Sequence, residues 1–195
     1  MSTMQGHGSV DEPRQFSKFL SKLVEGEPEF SLENAEPAVL PRGEGWRARI
    51  DTAHRDERQR FRYVLDKEGD VWTIPRWRRI LSTVSHQWQW IAEGDCEDWA
   101  LYMVTVLLDL GVPAGALRLA ECLAPGGDGH AVLTIEMDDM TLVSDVRQTG
   151  VPEWDSALFE GYAWLYRQVP AQKDWQRIGN APTLADLLEN QGAGT

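Results

Sequence analysis

The chain has 195 residues, of which 42% are hydrophobic and 26% charged, a composition that suits one soluble globular domain with a hydrophobic core. Its formal net charge of −12, without a separate block of Lys and Arg, argues against nucleic-acid binding because an acidic surface repels phosphate backbones. No apolar run is long enough to span a bilayer, so membrane insertion is not expected.

The N-terminus shows no secretory signal, because its first residues are small and polar and no basic region precedes an apolar stretch. We therefore predict a flexible tail over residues 1–12, a single domain over 13–190 and a cytoplasmic protein. The only two cysteines, Cys96 and Cys122, do not make a disulfide framework, and this usage suits a reducing compartment.

Apolar residues at helical spacing, interrupted by Pro, Gly and charged clusters, divide the N-terminal half into short segments. In chain order we predict a helix over 16–23, a surface loop over 26–45, a helix over 46–60, a strand over 61–65, a turn over 66–70, a short apolar run over 71–74, a helix over 76–84 and a loop reaching residue 94.

The clearest helix pattern begins at Cys96 and ends near Leu110, where Gly111 and Pro113 prevent its continuation. Strands are then predicted over 117–123, 131–137, 140–146 and 162–166, followed by a terminal helix over 183–189. Cys122 falls on the first of these strands, where a buried and inert thiol is the usual occupant.

Three residues of these elements form a candidate catalytic set. Cys96 begins the helix, His130 opens a strand, and Asp145 ends the next apolar run, which is the chain order of a papain-like thiol site. A helix N-terminus stabilises a thiolate, a histidine can take and return the proton, and an aspartate can orient the imidazole. Each residue also has a structural interpretation, as a buried thiol, a core histidine and a strand-end acid. A zinc site is disfavoured because there is no CxxC or HxxxH pair.

The acids Asp95, Glu97 and Asp98 surround the cysteine. Asp95 can cap the helix, with Asp98 three residues later resembling a capping box. Three carboxylates should, however, raise the pKa of the thiol and oppose its activation. A Ca²⁺ ion held by these oxygens would cancel that repulsion, so both a calcium site and plain capping are open interpretations.

The run Gly94-Asp-Cys-Glu-Asp-Trp-Ala100 resembles the signature of the bacterial transglutaminase-like cysteine proteinases. Other segments are similar to that family in the same order, and the resemblance covers about residues 46–180. These segments are Phe61-Arg-Tyr-Val-Leu-Asp66, Val71-Trp-Thr-Ile-Pro75, Leu110-Gly-Val-Pro113, Leu117-Arg-Leu119, Gly129-His-Ala-Val-Leu133 and Leu142-Val-Ser-Asp145.

The resemblance implies a papain-like, transglutaminase-like α+β fold, with the nucleophile at the N-terminus of a central helix packed on an antiparallel sheet. It also implies a triad of Cys96, His130 and Asp145, a protein substrate and no organic cofactor. The best-known members are periplasmic, calcium-dependent proteases that process surface adhesins. Their calcium carboxylates flank the nucleophile, which implies Asp95 and Glu97 as ligands here, with Asp98 beside them.

Three departures from the family pattern bear on the function. An asparagine after the aspartate is replaced by Val146, the segment between Leu65 and Val71 is short, and the secretion signal is missing. A cytoplasmic or bacteriophage-encoded relative acting on another protein therefore fits better than a processor of periplasmic adhesins.

Three functions are compatible with these residues. The first is a cysteine peptidase whose oxyanion hole combines the Cys96 backbone N–H with the indole N–H of Trp72, a residue that a hydrophobic core could equally claim. The second is a transglutaminase or amidase using the same triad. The third is a non-catalytic adaptor or virion assembly module that binds through its acidic, Trp-rich surface.

Overall fold

A computed structural model of the protein describes residues 32, 35–66, 73–75, 77–82, 88–169 and 174–178, and of Trp88 the backbone alone. The predicted tail and the helices predicted over 16–23 and 183–189 lie outside the described residues. The described helices and strands are, in chain order, α1 (Trp46–Arg58), β1 (Phe61–Tyr63), β2 (Arg78–Leu81), β3 (Trp88–Gly94), α2 (Cys96–Asp109), β4 (Leu117–Leu123), β5 (Gly129–Glu136), β6 (Thr141–Ser144), β7 (Ala163–Gln168) and β8 (Trp175–Arg177).

Helix α2 is the centre of the hydrophobic core. Its residues from Cys96 to Val104 are all buried, and Leu107 continues the buried stripe. Trp99 is fully buried, with its ring edge-on to the rings of Phe61 and His54 at centroid distances of 5.0 and 5.1 Å. The helix packs on β5, and the sheet contributes Leu119, Leu133, Ile135 and Leu142 to the same core.

The larger sheet is antiparallel throughout, with the strand order β6-β5-β4-β7-β8. Its opposite face carries a smaller cluster of buried residues, in which Phe159 covers Ala120, Val132 and Val143. The α+β prediction, with the cysteine at the start of a central helix on an antiparallel sheet, is confirmed. Among the described segments, none of the helices combines the length and the hydrophobicity that crossing a membrane requires.

The second sheet contradicts two predictions. It has the order β1-β3-β2, with β1 parallel and β2 antiparallel to β3. The helix predicted over 76–84 is wrong because Arg78–Leu81 forms β2, and the loop predicted before residue 94 is wrong because Trp88–Gly94 forms β3. The reason is a partner distant in sequence: Arg78 pairs with Ile91, and the side chain of Glu93 on β3 accepts from the guanidinium of Arg78.

Helix α1 confirms the prediction over 46–60 and lies against the turn that follows β6. Its buried His54 contacts Ser144 and Gln148, and Arg58 Nε donates to the carbonyl of Val146 at 2.6 Å. The described part of the predicted surface loop is attached to the core as well. Leu40 is 2% exposed and forms a parallel bridge with Met137, the residue that follows β5.

Candidate active site

The nucleophile candidate lies at the junction of strand β3 and helix α2. A single residue, Asp95, connects the end of β3 to the start of α2, so Cys96 is the first residue of the helix. This connection needs a glycine at Gly94, because a Cβ atom there would lie 2.4 Å from Cβ of Asp98. Strand β1 runs parallel to β3 and places Tyr63 opposite Gly94. The local sequence thereby brings the thiol to the carboxyl ends of two parallel strands.

The Cys96 thiol is 8% exposed and donates to Oε2 of Glu97 at 3.0 Å. Burial raises the pKa of Cys96 well above its usual range, and the negative charge of Glu97 and its hydrogen bond add to the effect. The backbone N–H of Ala131 acts in the opposite direction by hydrogen bonding to the sulfur. Cys96 is therefore a protonated thiol in this arrangement, as the flanking acids led us to expect.

His130 and Asp145 form a buried pair. Asp145 Oδ1 accepts from His130 Nε2 at 2.8 Å, and both side chains are fully buried. Burial alone would raise the pKa of Asp145, but the hydrogen bond and charge of His130 outweigh it, helped by the Arg147 N–H and the Tyr162 hydroxyl, so that this pKa is lowered. The structure therefore places these two predicted triad members in direct contact.

The hydrogen bond to Asp145 also defines the state of the imidazole. Because a carboxylate oxygen accepts, Nε2 carries the hydrogen, and the neutral ring has its lone pair on Nδ1. His130 Nδ1 is buried and has no hydrogen-bond partner among the described residues. The next residue of β5, Ala131, belongs to the same buried cluster as Cys96, and its backbone N–H lowers the pKa of the thiol. No hydrogen bond joins the Cys96 thiol to His130 among the described residues, so the structure brings two of the three predicted triad members into contact.

The flanking acids differ from the capping prediction. Asp95 occupies the N-cap position, but its side chain makes no capping hydrogen bond. Asp98 does not complete a capping box, because its Oδ1 accepts from the backbone N–H of Thr73 at 2.7 Å and from the Thr73 hydroxyl at 3.0 Å. The capping prediction is therefore wrong: a partner 25 residues earlier in the chain takes the Asp98 carboxylate.

The pKa values of two of these acids, Glu97 and Asp98, are raised. Burial raises the pKa of Glu97 to about 8, and the hydrogen bond and negative charge of Asp95 contribute to the increase. Burial likewise raises the pKa of Asp98 to about 6 against the two bonds from Thr73. Within the described residues, no group of three or more His, Cys, Asp or Glu side chains is arranged to hold a metal ion. The three predicted calcium ligands do not form a ready-made cluster.

Two tyrosines at the site were not predicted from the sequence. Tyr162 donates to Oδ2 of Asp145 at 3.0 Å. Tyr63 is paired with Gly94, two positions before Cys96, and burial raises the pKa of its phenol to about 12. The pairing register of β1 with β3 places Tyr63 beside the Gly94–Asp98 segment, and this register could not be read from the sequence. Trp72, the predicted oxyanion donor, lies outside the described residues.

A cysteine at a helix N-terminus, and a buried pair formed by a histidine of β5 and the aspartate that follows β6, are the residue types that thiol hydrolases use. The family model described as bacterial transglutaminase-like cysteine proteinase (BTLCP) matches residues 63–182, which is more than half of the chain. The protein therefore belongs to this family of cysteine peptidases. Helix α1 precedes the matched segment.

Similar solved structures are those of LapG from Legionella pneumophila. An EGTA-treated form is 21% identical over 63% of this chain and 62% of that chain, with a TM-score of 0.46. A second LapG structure is 20% identical over 75% of each chain, with a TM-score of 0.49. A calcium-bound form is 15% identical over 92% of this chain and 99% of that chain, also with a TM-score of 0.49. The protein thus spans less than two thirds of the EGTA-treated LapG chain. No curated protein sequence matches significantly.

Proposed function

We propose that the protein is a cysteine peptidase that cleaves a protein substrate through Cys96, His130 and Asp145. The observation that carries this proposal is the buried His130–Asp145 pair, in which His130 Nδ1 has no hydrogen-bond partner among the described residues. Membership in a family of cysteine peptidases supports it.

In the proposed reaction His130 Nδ1 accepts the thiol proton while the sulfur of Cys96 attacks the scissile carbonyl carbon. The tetrahedral intermediate collapses when the imidazolium returns the proton to the departing amine, and an acyl-enzyme thioester remains. Water then gives a proton to Nδ1 and adds to the thioester, which releases the carboxylic acid and the thiol. Asp145 stabilises the imidazolium and keeps its ring oriented. The oxyanion would be bound by the Cys96 backbone N–H, with Trp72 as the predicted second donor.

Activation requires that the thiol change its hydrogen-bond partner. Cys96 donates to Glu97, whereas the reaction needs it to donate to His130. We infer that Asp95 and Glu97 would hold a Ca²⁺ ion, which would occupy the Glu97 carboxylate and free the thiol from it. Asp95 and Glu97 are buried carboxyl groups in hydrogen-bonding contact, an arrangement that either a shared proton or a bound cation must stabilise.

Carboxylate oxygens are the ligands that Ca²⁺ prefers, so Asp95 and Glu97 fit such an ion. When bound, the cation would supply the positive charge that lowers the cost of a nearby thiolate. Asp98 is not included among these ligands, because one of its oxygens already accepts two hydrogen bonds from Thr73. We propose that its role is to hold residue 73 beside the helix.

The peptidase proposal is tested by the rate at which iodoacetamide labels the protein at pH 7. Cys96→Ala should abolish labelling, whereas Cys122→Ala should leave it unchanged, because Cys122 is 1% exposed and its thiol donates to the backbone carbonyl of His130, which cannot act as a general base. His130→Ala should slow labelling by about 100-fold, since the general base is lost. Equal labelling of the His130 variant and the wild-type protein would contradict the proposal.

Two further assays separate the alternatives. Incorporation of a fluorescent primary amine into a glutamine-containing protein would indicate a transglutaminase, because the same acyl-enzyme would then react with an amine. Calcium is tested by the melting temperature, which should rise in millimolar Ca²⁺ relative to EGTA and do so less in Glu97→Gln. An identical melting temperature in both solutions would remove the calcium proposal without affecting the triad.

A further inference from the structure

The Asp145 carboxylate receives hydrogen bonds on both oxygens. Oδ1 accepts from His130 Nε2 and from the backbone N–H of Arg147, each at 2.8 Å. Oδ2 accepts from the Tyr162 hydroxyl at 3.0 Å, and no other hydrogen bond to this oxygen is formed within the described part of the chain. Because Asp145 is fully buried, the hydroxyl is the group that replaces water at Oδ2.

Tyr162 reaches the carboxylate from the face of the larger sheet that is opposite to α2. Gly161, with φ of +86°, turns the chain into β7, and the Tyr162 ring then packs edge-on against Phe159 at 5.2 Å between centroids. The same ring lies edge-on to the imidazole of His130 at 6.1 Å. One side chain therefore contacts the His–Asp pair twice, through its hydroxyl and through its ring.

We propose that Tyr162 is a positioning residue of this site: its hydroxyl holds Asp145 in the orientation in which Oδ1 accepts from His130 Nε2. The inference rests on the proposed peptidase function, because the orientation of His130 matters only if that imidazole activates Cys96. A carboxylate fixed at both oxygens cannot rotate about its Cβ–Cγ bond without breaking a buried hydrogen bond. The imidazole is then held in one orientation, with Nδ1 free of other hydrogen bonds among the described residues.

The test is the pH dependence of Cys96 labelling by iodoacetamide in the Tyr162→Phe variant, which keeps the ring and removes the hydroxyl. With Asp145 less well oriented, the imidazolium is less stabilised, and the thiolate forms only at higher pH. We expect labelling at pH 7 to slow by about tenfold and the acidic limb of the profile to move up by about one pH unit. Tyr166→Phe is the matched control, since it removes a hydroxyl from β7, the strand that begins directly after Tyr162.

Two more variants separate positioning from packing. In an Asp145→Asn background, Tyr162→Phe should cause no further loss, because the hydroxyl acts through the carboxylate. Phe159→Leu disturbs the aromatic packing of Tyr162 and should leave the limb of the profile in place. Any of three results would overturn the inference. The acidic limb of the labelling profile could stay in place in Tyr162→Phe, or Tyr162→Phe could slow labelling as much in the Asp145→Asn background as in the wild-type protein. The third is a limb that moves by the same amount in Phe159→Leu. The proposed function would still stand if wild-type labelling depends on His130, and it would fail if that dependence is missing.

Discussion

Glu97→Gln should change the stability of the protein in a strongly pH-dependent way when calcium is removed. The Glu97 carboxyl has a pKa near 4.5 when it is free and about 8 in the folded protein, because burial and Asp95 disfavour its ionised form. The folded protein therefore binds this proton more tightly than the unfolded chain does. The resulting contribution to the free energy of unfolding is fully present below about pH 4.5 and is lost as the pH rises through about 8. Glutamine has nearly the same shape and no proton to lose, so the variant escapes this loss.

The magnitude follows from the shift in pKa. Each unit corresponds to about 1.4 kcal/mol, so an increase from 4.5 to about 8 gives an upper bound of about 5 kcal/mol at pH 8.5. Replacing the carboxyl by an amide also weakens the contacts with Cys96 and Asp95, so we expect a net gain of about 2 kcal/mol. Below pH 5 that gain should vanish, and the variant should be equal to or less stable than the wild-type protein.

Urea unfolding in EGTA at pH 5, 7 and 8.5 measures this difference. Glu44→Gln is the control, because it makes the same substitution at an exposed residue in the short turn before α1. A difference in free energy of unfolding between Glu97→Gln and the wild-type protein that is the same at all three pH values would refute the reasoning. So would a variant that is less stable than the wild-type protein at pH 8.5.

Two further predictions concern the frame of the site. Gly94→Ala should destabilise the protein by about 1–3 kcal/mol in urea unfolding, because its methyl group overlaps Asp98, whereas Gly43→Ala, with open space around it, should not. His54→Phe should cost about 2 kcal/mol, because His54 loses its bonds to Ser144 Oγ at 3.0 Å and to a carbonyl at 3.1 Å while its ring packing remains. A change below 0.5 kcal/mol, on the scale of ordinary surface substitutions, would contradict either one.

The His54 contact shows how a segment outside the family match supports the site. The carbonyl of Gln148 can only accept, so His54 Nε2 carries the hydrogen and Nδ1 accepts from the Ser144 hydroxyl. Burial lowers the pKa of His54, which keeps the ring neutral in this arrangement. Together with Arg58, it holds the turn at 144–148 from both sides of Asp145. Helix α1 therefore belongs to the structure that orients the His–Asp pair.

Elements with a strong local pattern could be predicted from the sequence. The helix beginning at Cys96 and the strand Leu117–Leu123 were predicted with nearly their observed bounds, because their apolar residues repeat with the period of the element itself. The strand Arg78–Leu81 could not be predicted in this way. It carries two arginines and no apolar alternation, and it is a strand because it pairs with β3.

The candidate site likewise has features that could be predicted from local sequence and features that could not. A thiol at a helix start followed by a histidine and an aspartate at strand ends indicates thiol chemistry, because helix N-termini and strand ends are recognisable from residues close together in the chain. Three features of the site depend instead on strand pairing and on helix packing. They are the Asp145 oxygen that contacts His130, the bond of Asp98 to Thr73 in place of a cap on α2, and the contact of Tyr162 with Asp145. These contacts join residues 15 to 25 positions apart in the chain, and only the folded sheets bring such residues within hydrogen-bonding distance.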